Sequence, residues 1–250
     1  MTRLTQSPSC AVLAAGQEPA LSPGEKADSN TGVRTSQGFP RLAALRERSS
    51  RNRTPMGITT SQRILETVVV SRNADGSPHI APLGVRLVDD EILLAPFHPS
   101  RTLQNLRRER TVTINAITDT RIMAGALTGR RDWPVEPAKQ IAGFRLAAAL
   151  SHTELDLHRL DEDEQRPHFY GRVLGTYSHA PFPGLNRAQA AVLEASILVS
   201  RLHMLDREKV ERELEYLRIA IDKTAGAEEL EAWGWLMEAV DAWRQTHASA

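Results

Sequence analysis

Three β-patterned runs joined by two very short turns, between Ile64 and Phe97, constrain this chain more than any other feature. Ile64–Ser71 (ILETVVVS) is β-branched and apolar on both faces, which suits a buried strand. Asn73-Ala74-Asp75-Gly76 reads as a turn whose glycine is free to take positive φ. Ser77–Val88 is a second strand, interrupted by Pro82 and Gly84. Proline there marks an edge or a bulge, and glycine marks a place where something approaches the backbone closely. Asp89-Asp90 turns the chain again into Glu91–Phe97. Connections this short allow only antiparallel neighbours, since a parallel pair needs a crossover of a dozen or more residues.

The rest of the pattern extends the sheet and then abandons it. Ser100–Arg110 reads as a short helix, with Ser100 or Thr102 as cap and an i, i+3 seam of Leu103 and Leu106. Thr111–Ile117 alternates as a fourth strand, Asp119 caps a short helix towards Leu127, and Trp133–Gln140 reads as a loop. Phe144–Leu160 and His168–Tyr177 read as two long strands joined by an acidic turn. Beyond Pro181-Phe182-Pro183-Gly184 the chain turns helical: Asn186 to about Met204, Asp206 to about Ala225 with Gly226 as its stop, and Ala227–His247. The expected class is α+β, mainly β: a barrel over 60–180 and a three-helix C-terminal subdomain over 184–248.

Composition separates a leader from this folded part. Residues 1–55 are rich in Ser, Thr, Pro, Gly and Arg, and Phe39 is their only aromatic residue. They hold eight basic and four acidic residues, so the +4 leader cancels a −4 remainder within a chain of zero net charge. Such a segment buries too little apolar surface to offset its ordering entropy, and disorder is expected. It reads either as a tail or as sequence upstream of a true start at Met56. The neutral total argues against a nucleic-acid binder. The lone Cys10 excludes an internal disulfide and suits a reducing cytoplasm. No apolar stretch approaches the roughly 20 residues of a membrane span.

Chemistry concentrates between Ala81 and Asn105. Ala81-Pro82-Leu83-Gly84 offers small residues on a strand where a flat ligand could lie against the backbone. Pro96-Phe97-His98-Pro99-Ser100-Arg101-Thr102 places hydroxyls, a guanidinium and unpaired N–H groups at a helix start. That combination favours an anion, although Ser and Thr at such positions are more often simple caps.

These residues, with the turn motifs around them, resemble the DUF447 family, defined by a domain of unknown function. The likeness lies in an E-T-x-V strand, a D-G turn, A-P-x-G-V, P-F-x-x-S-x-T-x-x-N-L and a V-x-N strand end. It continues in the helices through N-R-A, E-A, R-L and K-T-A-G. It implies an FMN-binding split β-barrel, antiparallel and related to flavin reductases and pyridoxamine-phosphate oxidases, with a C-terminal helical subdomain. It implies a homodimer with FMN at the interface. Carried over by residue, Ser100, Arg101, Thr102 and Asn105 become phosphate and ribityl ligands. Ala81, Pro82, Leu83 and Gly84 line the ring through their backbone, and Asn115 contacts ring or ribityl chain beside Thr118 and Asp119. The implied activity is a cytoplasmic FMN-dependent oxidoreductase acting on a small, pterin-like substrate. The alternative is a non-catalytic flavin-binding or sensor module. No residue is singled out as acid or base.

Other clusters read more plainly. His152, Glu154, Asp156 and His158 alternate along one strand and are expected on a solvent-facing surface. His152 and His158 would be roughly 20 Å apart, too far to share a metal, and no metal site is expected. Arg107-Arg108, Arg110 and Arg130-Arg131 are expected to be solvated or ion-paired, and Glu194 and Arg201 to pair between helices. The tryptophans of the last helix are expected in a core or a dimer contact.

Overall fold

The computed structural model describes residues 63–246; the leader lies outside them. Eight strands and five α-helices follow one another as β1 (Ile64–Arg72), β2 (Pro78–Val88), β3 (Glu91–Leu94), α1 (Arg101–Glu109), β4 (Thr111–Ala116), α2 (Arg121–Leu127), β5 (Val135–Pro137), β6 (Phe144–Leu146), β7 (Ser151–Asp161), β8 (His168–Ser178), α3 (Arg187–Val199), α4 (Arg207–Thr224) and α5 (Ala227–Thr246). Six strands close a barrel in the order β1-β2-β3-β8-β7-β4, and every pairing is antiparallel.

The barrel interior is filled by Val69, Val85, Leu94, Ile114, Leu155, Leu157 and Phe169, and α1 plugs it with Leu103 and Leu106. That explains the i, i+3 leucines: they are the only apolar stripe of a helix that is polar elsewhere. Outside the barrel, Val68, Val70 and Ile80 are covered by Ile122 and Met123 of α2 and by Leu146 of β6. A separate core, with Val192, Leu214, Trp233, Leu236 and Val240, unites α3, α4 and α5. Helix α2 joins the two layers, since its Ala124 belongs to the helical core while its neighbours cover the barrel. Arg121 strengthens the joint: it is held by Asp119 at 2.8 Å and reaches Glu228 and Glu231 of α5 at 3.0 and 3.3 Å.

Several boundaries differ from expectation. The strand expected over Phe144–Leu160 divides into β6 and β7. Leu150 breaks it by donating to Ala116 and accepting from the N–H groups of His179 and Ala180. The expected loop after Trp133 contains β5, which pairs with β6. The helix expected to reach Met204 stops at Val199, and a 3₁₀ turn follows at Leu202–Met204. Gly226 does not end α4 in a left-handed conformation. Ala225 leaves the helix extended (φ −73, ψ 137), and the Gly226 N–H donates to Glu229 at 2.8 Å, opening α5.

Candidate functional site

Strand β2 has an unequal pair of edges. It pairs with β1 from Pro78 to Arg86, but with β3 only from Val85 onward. Among the described residues, Pro78–Gly84 therefore has no strand partner on its second side. Gly84 is needed where it stands: a Cβ there would lie 2.6 Å from the Ile64 methyl group.

The start of α1 lies beside this edge. Ser100, in extended conformation (φ −151, ψ 155), caps the helix by accepting from Leu103 N at 3.2 Å. No acidic residue stands in the first turn. Thr102 is buried, and its hydroxyl meets His79 Nε2 of β2 at 3.1 Å. Burial, then the charges of Arg131 and Arg101, hold the His79 imidazole below the usual histidine value. Arg101 is exposed and makes no ion pair among the described residues. A helix N-terminus, a hydroxyl and an imidazole thus meet at one end of the open edge, and the charges of Arg101 and Arg131 act on that imidazole, although the Arg131 Nε itself donates to the Ala126 carbonyl at 3.2 Å.

The two asparagines are engaged differently. Asn105, 1% exposed, donates to Ser71 Oγ and Asn73 Oδ1, both at 3.0 Å, and accepts from Arg108 at 3.1 Å. Asn115, fully buried, donates to the Val68 carbonyl at 3.0 Å and accepts from Leu146 N at 2.9 Å. The first ties α1 to the β1–β2 turn; the second ties β4 to β1 and to β6.

A third polar group lies farther along the same rung of the sheet, which runs Pro82, Val68, Asn115, His152 and Tyr177 by register. His152 and Glu154 are buried, contrary to the expected solvent-facing surface. The segment around β5 and β6 covers them. Lys139 N donates to Glu154 Oε1 at 2.6 Å, and Gln140 N and Ile141 N donate to Oε2 at 2.7 and 3.1 Å. His152 Nε2 lies 3.0 Å from the same carboxylate, and its Nδ1 lies 2.8 Å from His179 Nε2. Burial alone would raise the Glu154 carboxyl, but the backbone donors and His152 hold it below the usual carboxylate range. His152, Glu154 and Asp156 pair in unbroken register with Asn115, Thr113 and Thr111 of β4 and do share a face, while Leu155 and Leu157 alternate into the barrel; the shift between Leu157 and Arg159 leaves His158 without a β8 partner.

Comparison with known proteins decides the family. The model of the DUF447 N-terminal domain matches residues 65–180, and that of the DUF447 C-terminal part matches residues 186–238. The chain belongs to the DUF447 family. Among solved structures, an FMN-bound DUF447 protein from Methanosarcina mazei is similar, with 20% identity, a TM-score of 0.62, and coverage of 70% of this chain and 94% of that one. A 2-nitrobenzoate 2-nitroreductase from Pseudomonas fluorescens gives 21% identity and a TM-score of 0.40, covering 50% of this chain and 69% of that one. An FMN-binding protein from Thermus thermophilus gives 16% and 0.40, covering 52% and 80%. No curated protein matches the sequence. The fold of this DUF447 chain is the expected α+β split barrel, and none of these descriptions names a pterin.

In the DUF447 chain, then, Ser100, Arg101 and Thr102 come together at the end of the edge carrying Ala81, Pro82, Leu83 and Gly84. Asn105 and Asn115 stand behind them with their amides already engaged. His79 and Arg131 join the cluster from places that sequence reasoning did not use. For His79 the signal was present: it lies two residues before Ala81 on the strand already marked as a platform. For Arg131 there was none beyond its charge. His98, in a cis peptide with Pro99, is exposed and donates its backbone N–H to Gln165.

Proposed function

We propose that this DUF447 chain binds FMN along the open edge of β2 and works as a flavin-dependent oxidoreductase. The observation that carries the reading is the meeting of the α1 N-terminus, Thr102 and His79 where that edge begins, with Arg101 in the first turn of the helix. This donor set suits a phosphate dianion: orphan N–H groups and the helix dipole favour negative charge, and a guanidinium adds charge-assisted contacts. Ser100, Arg101 and Thr102 would hold the phosphate, with His79 and Arg131 beside them. The backbone of Ala81–Gly84, unpaired on one side, would receive the ring. Asn105 and Asn115 are positioning residues for α1 and β4 rather than direct ligands. The FMN-bound relative from Methanosarcina mazei supports the reading.

Bound FMN supplies the redox chemistry, and the protein supplies binding, orientation and the electrostatic surroundings of the ring. The same open edge supports a homodimer with FMN at the interface, because an uncovered run of strand N–H and C=O groups invites a partner. Anaerobic titration of the FMN-loaded protein with NADH and then NADPH tests the activity. Rapid bleaching of the flavin absorbance is expected with one of them; flavin inert to both would point instead to a sensor module.

A further inference from the structure

The helical layer meets the barrel at a groove of about 230 Å³ that the phosphate and ring contacts do not use. Its walls are mostly apolar: Ile117, Met123 and Leu193 line it, and Phe182 and Leu185 stand at its lip. Leu185 is 97% exposed and Phe182 61%, so apolar side chains there have no cover. Polar residues interrupt the wall at Glu66, Thr118, Thr120, Asn186 and Gln189, the last two with amides that donate to Thr224 and Glu229. The Glu66 carboxylate has no ion pair or hydrogen bond among the described residues. The Thr120 hydroxyl, at the start of α2, is buried without a hydrogen-bond partner and does not cap its helix. Glu66 also marks where the groove meets β2, because it pairs with Gly84. A Cβ on Gly84 would stand 3.5 and 3.6 Å from the two carboxylate oxygens.

We infer that this groove is the substrate site, and that it selects a small cyclic compound with an apolar body and a protonated or N–H-bearing nitrogen edge facing Glu66. The inference rests on the flavin reading, since Gly84 ends the proposed ring platform and Glu66 would then lie between ring and groove. Size sets the class: about 230 Å³ is below the range of pockets that take drug-sized ligands, so one or two rings fill it. Charge sets the edge: the exposed Glu66 carboxylate, at the end of the groove that meets β2, repels an anion and rewards a cation or donor. Thr118 and Gln189 add polar groups to the same lining.

Benzamidine, a planar aromatic cation, and benzoate, its anionic counterpart, are the probes. The full chain, loaded with FMN, is titrated with each by calorimetry while the flavin absorbance is recorded; FMN affinity is measured separately by fluorescence quenching. Benzamidine is expected to bind and shift the flavin spectrum, and benzoate to bind at least tenfold more weakly. Glu66→Gln should weaken benzamidine at least tenfold, and Ala190→Trp, which fills the groove from the exposed face of α3, should abolish binding. Both variants are expected to keep FMN affinity within about twofold. FMN binding without benzamidine binding, equal affinity for both probes, or indifference to Glu66→Gln would overturn the groove and leave the flavin reading standing. Failure to take up FMN would remove the flavin reading and the substrate assignment with it. Benzamidine binding that still depended on Glu66 would then show only that the groove takes cations.

Discussion

His79 stands where burial and two arginines disfavour its charge, and that makes its proton a reporter of the phosphate site. A dianion arriving beside it would favour the imidazolium, so binding takes up a proton. FMN affinity is therefore expected to rise as pH falls towards and below the ordinary histidine value of 6.5, and a His79→Gln variant to flatten that profile in fluorescence titrations. Glu154 carries a different expectation. Its carboxyl lies below its ordinary 4.5 in the folded chain, so it stabilises the fold above that value and the contribution is lost as pH falls through the folded value. Glu154→Gln keeps the shape but turns an amide group towards backbone N–H donors. A loss of about 2–4 kcal/mol in urea unfolding at pH 7 is expected, with a shallower decline below pH 4.5 than in the parent. Parent and variant stabilities that matched at pH 7 would remove Glu154 as the anchor of the segment around Gln140.

Among elements, α3 depends on one residue at its start. Asn186 accepts from Ala188 N at 2.7 Å and Gln189 N at 3.3 Å, and its amide donates to the Thr224 carbonyl at the end of α4. Asn186→Ala should cost about 1–2 kcal/mol, read as a lower thermal midpoint, because cap and interhelix tie disappear together. That cap was legible in the sequence, as were the meander and the α1 seam, since each is set by residues close along the chain. The short strand β5, the break at Leu150 and the burial of His152 and Glu154 were not. Their causes are long-range: a strand face is solvent-facing or buried according to what covers it, and the cover here, the segment from β5 to β6, has little pattern of its own. The register shift between Leu157 and Arg159 also ends the simple period of two at His158. The candidate site was legible in part for the same reason. Ser100–Thr102 are one local helix start, while His79 and Arg131 reach it only through the folded chain. The hydrogen bonds of Asn105 to the β1–β2 turn and of Asn115 to Val68 and Leu146 are likewise set by the fold and not by any local pattern.

For the whole molecule, zero net charge hides a local concentration of positive charge at one end of a sheet edge. Three cores lie inside the barrel, on its outer face and among the helices, the last two joined through α2, while Pro78–Gly84 has no strand partner on the side away from β1 among the described residues. If that edge is the interface, light scattering of the FMN-loaded chain should give twice the chain mass. Full FMN affinity in a monomer would refute an interface site. The central claim is tested most directly by titrating FMN into the purified chain beside its Ser100→Ala/Thr102→Ala variant, following flavin fluorescence. The account predicts saturable quenching at one FMN per chain, with affinity at least tenfold weaker in the variant. No uptake of FMN, or equal affinity in both proteins, would contradict it.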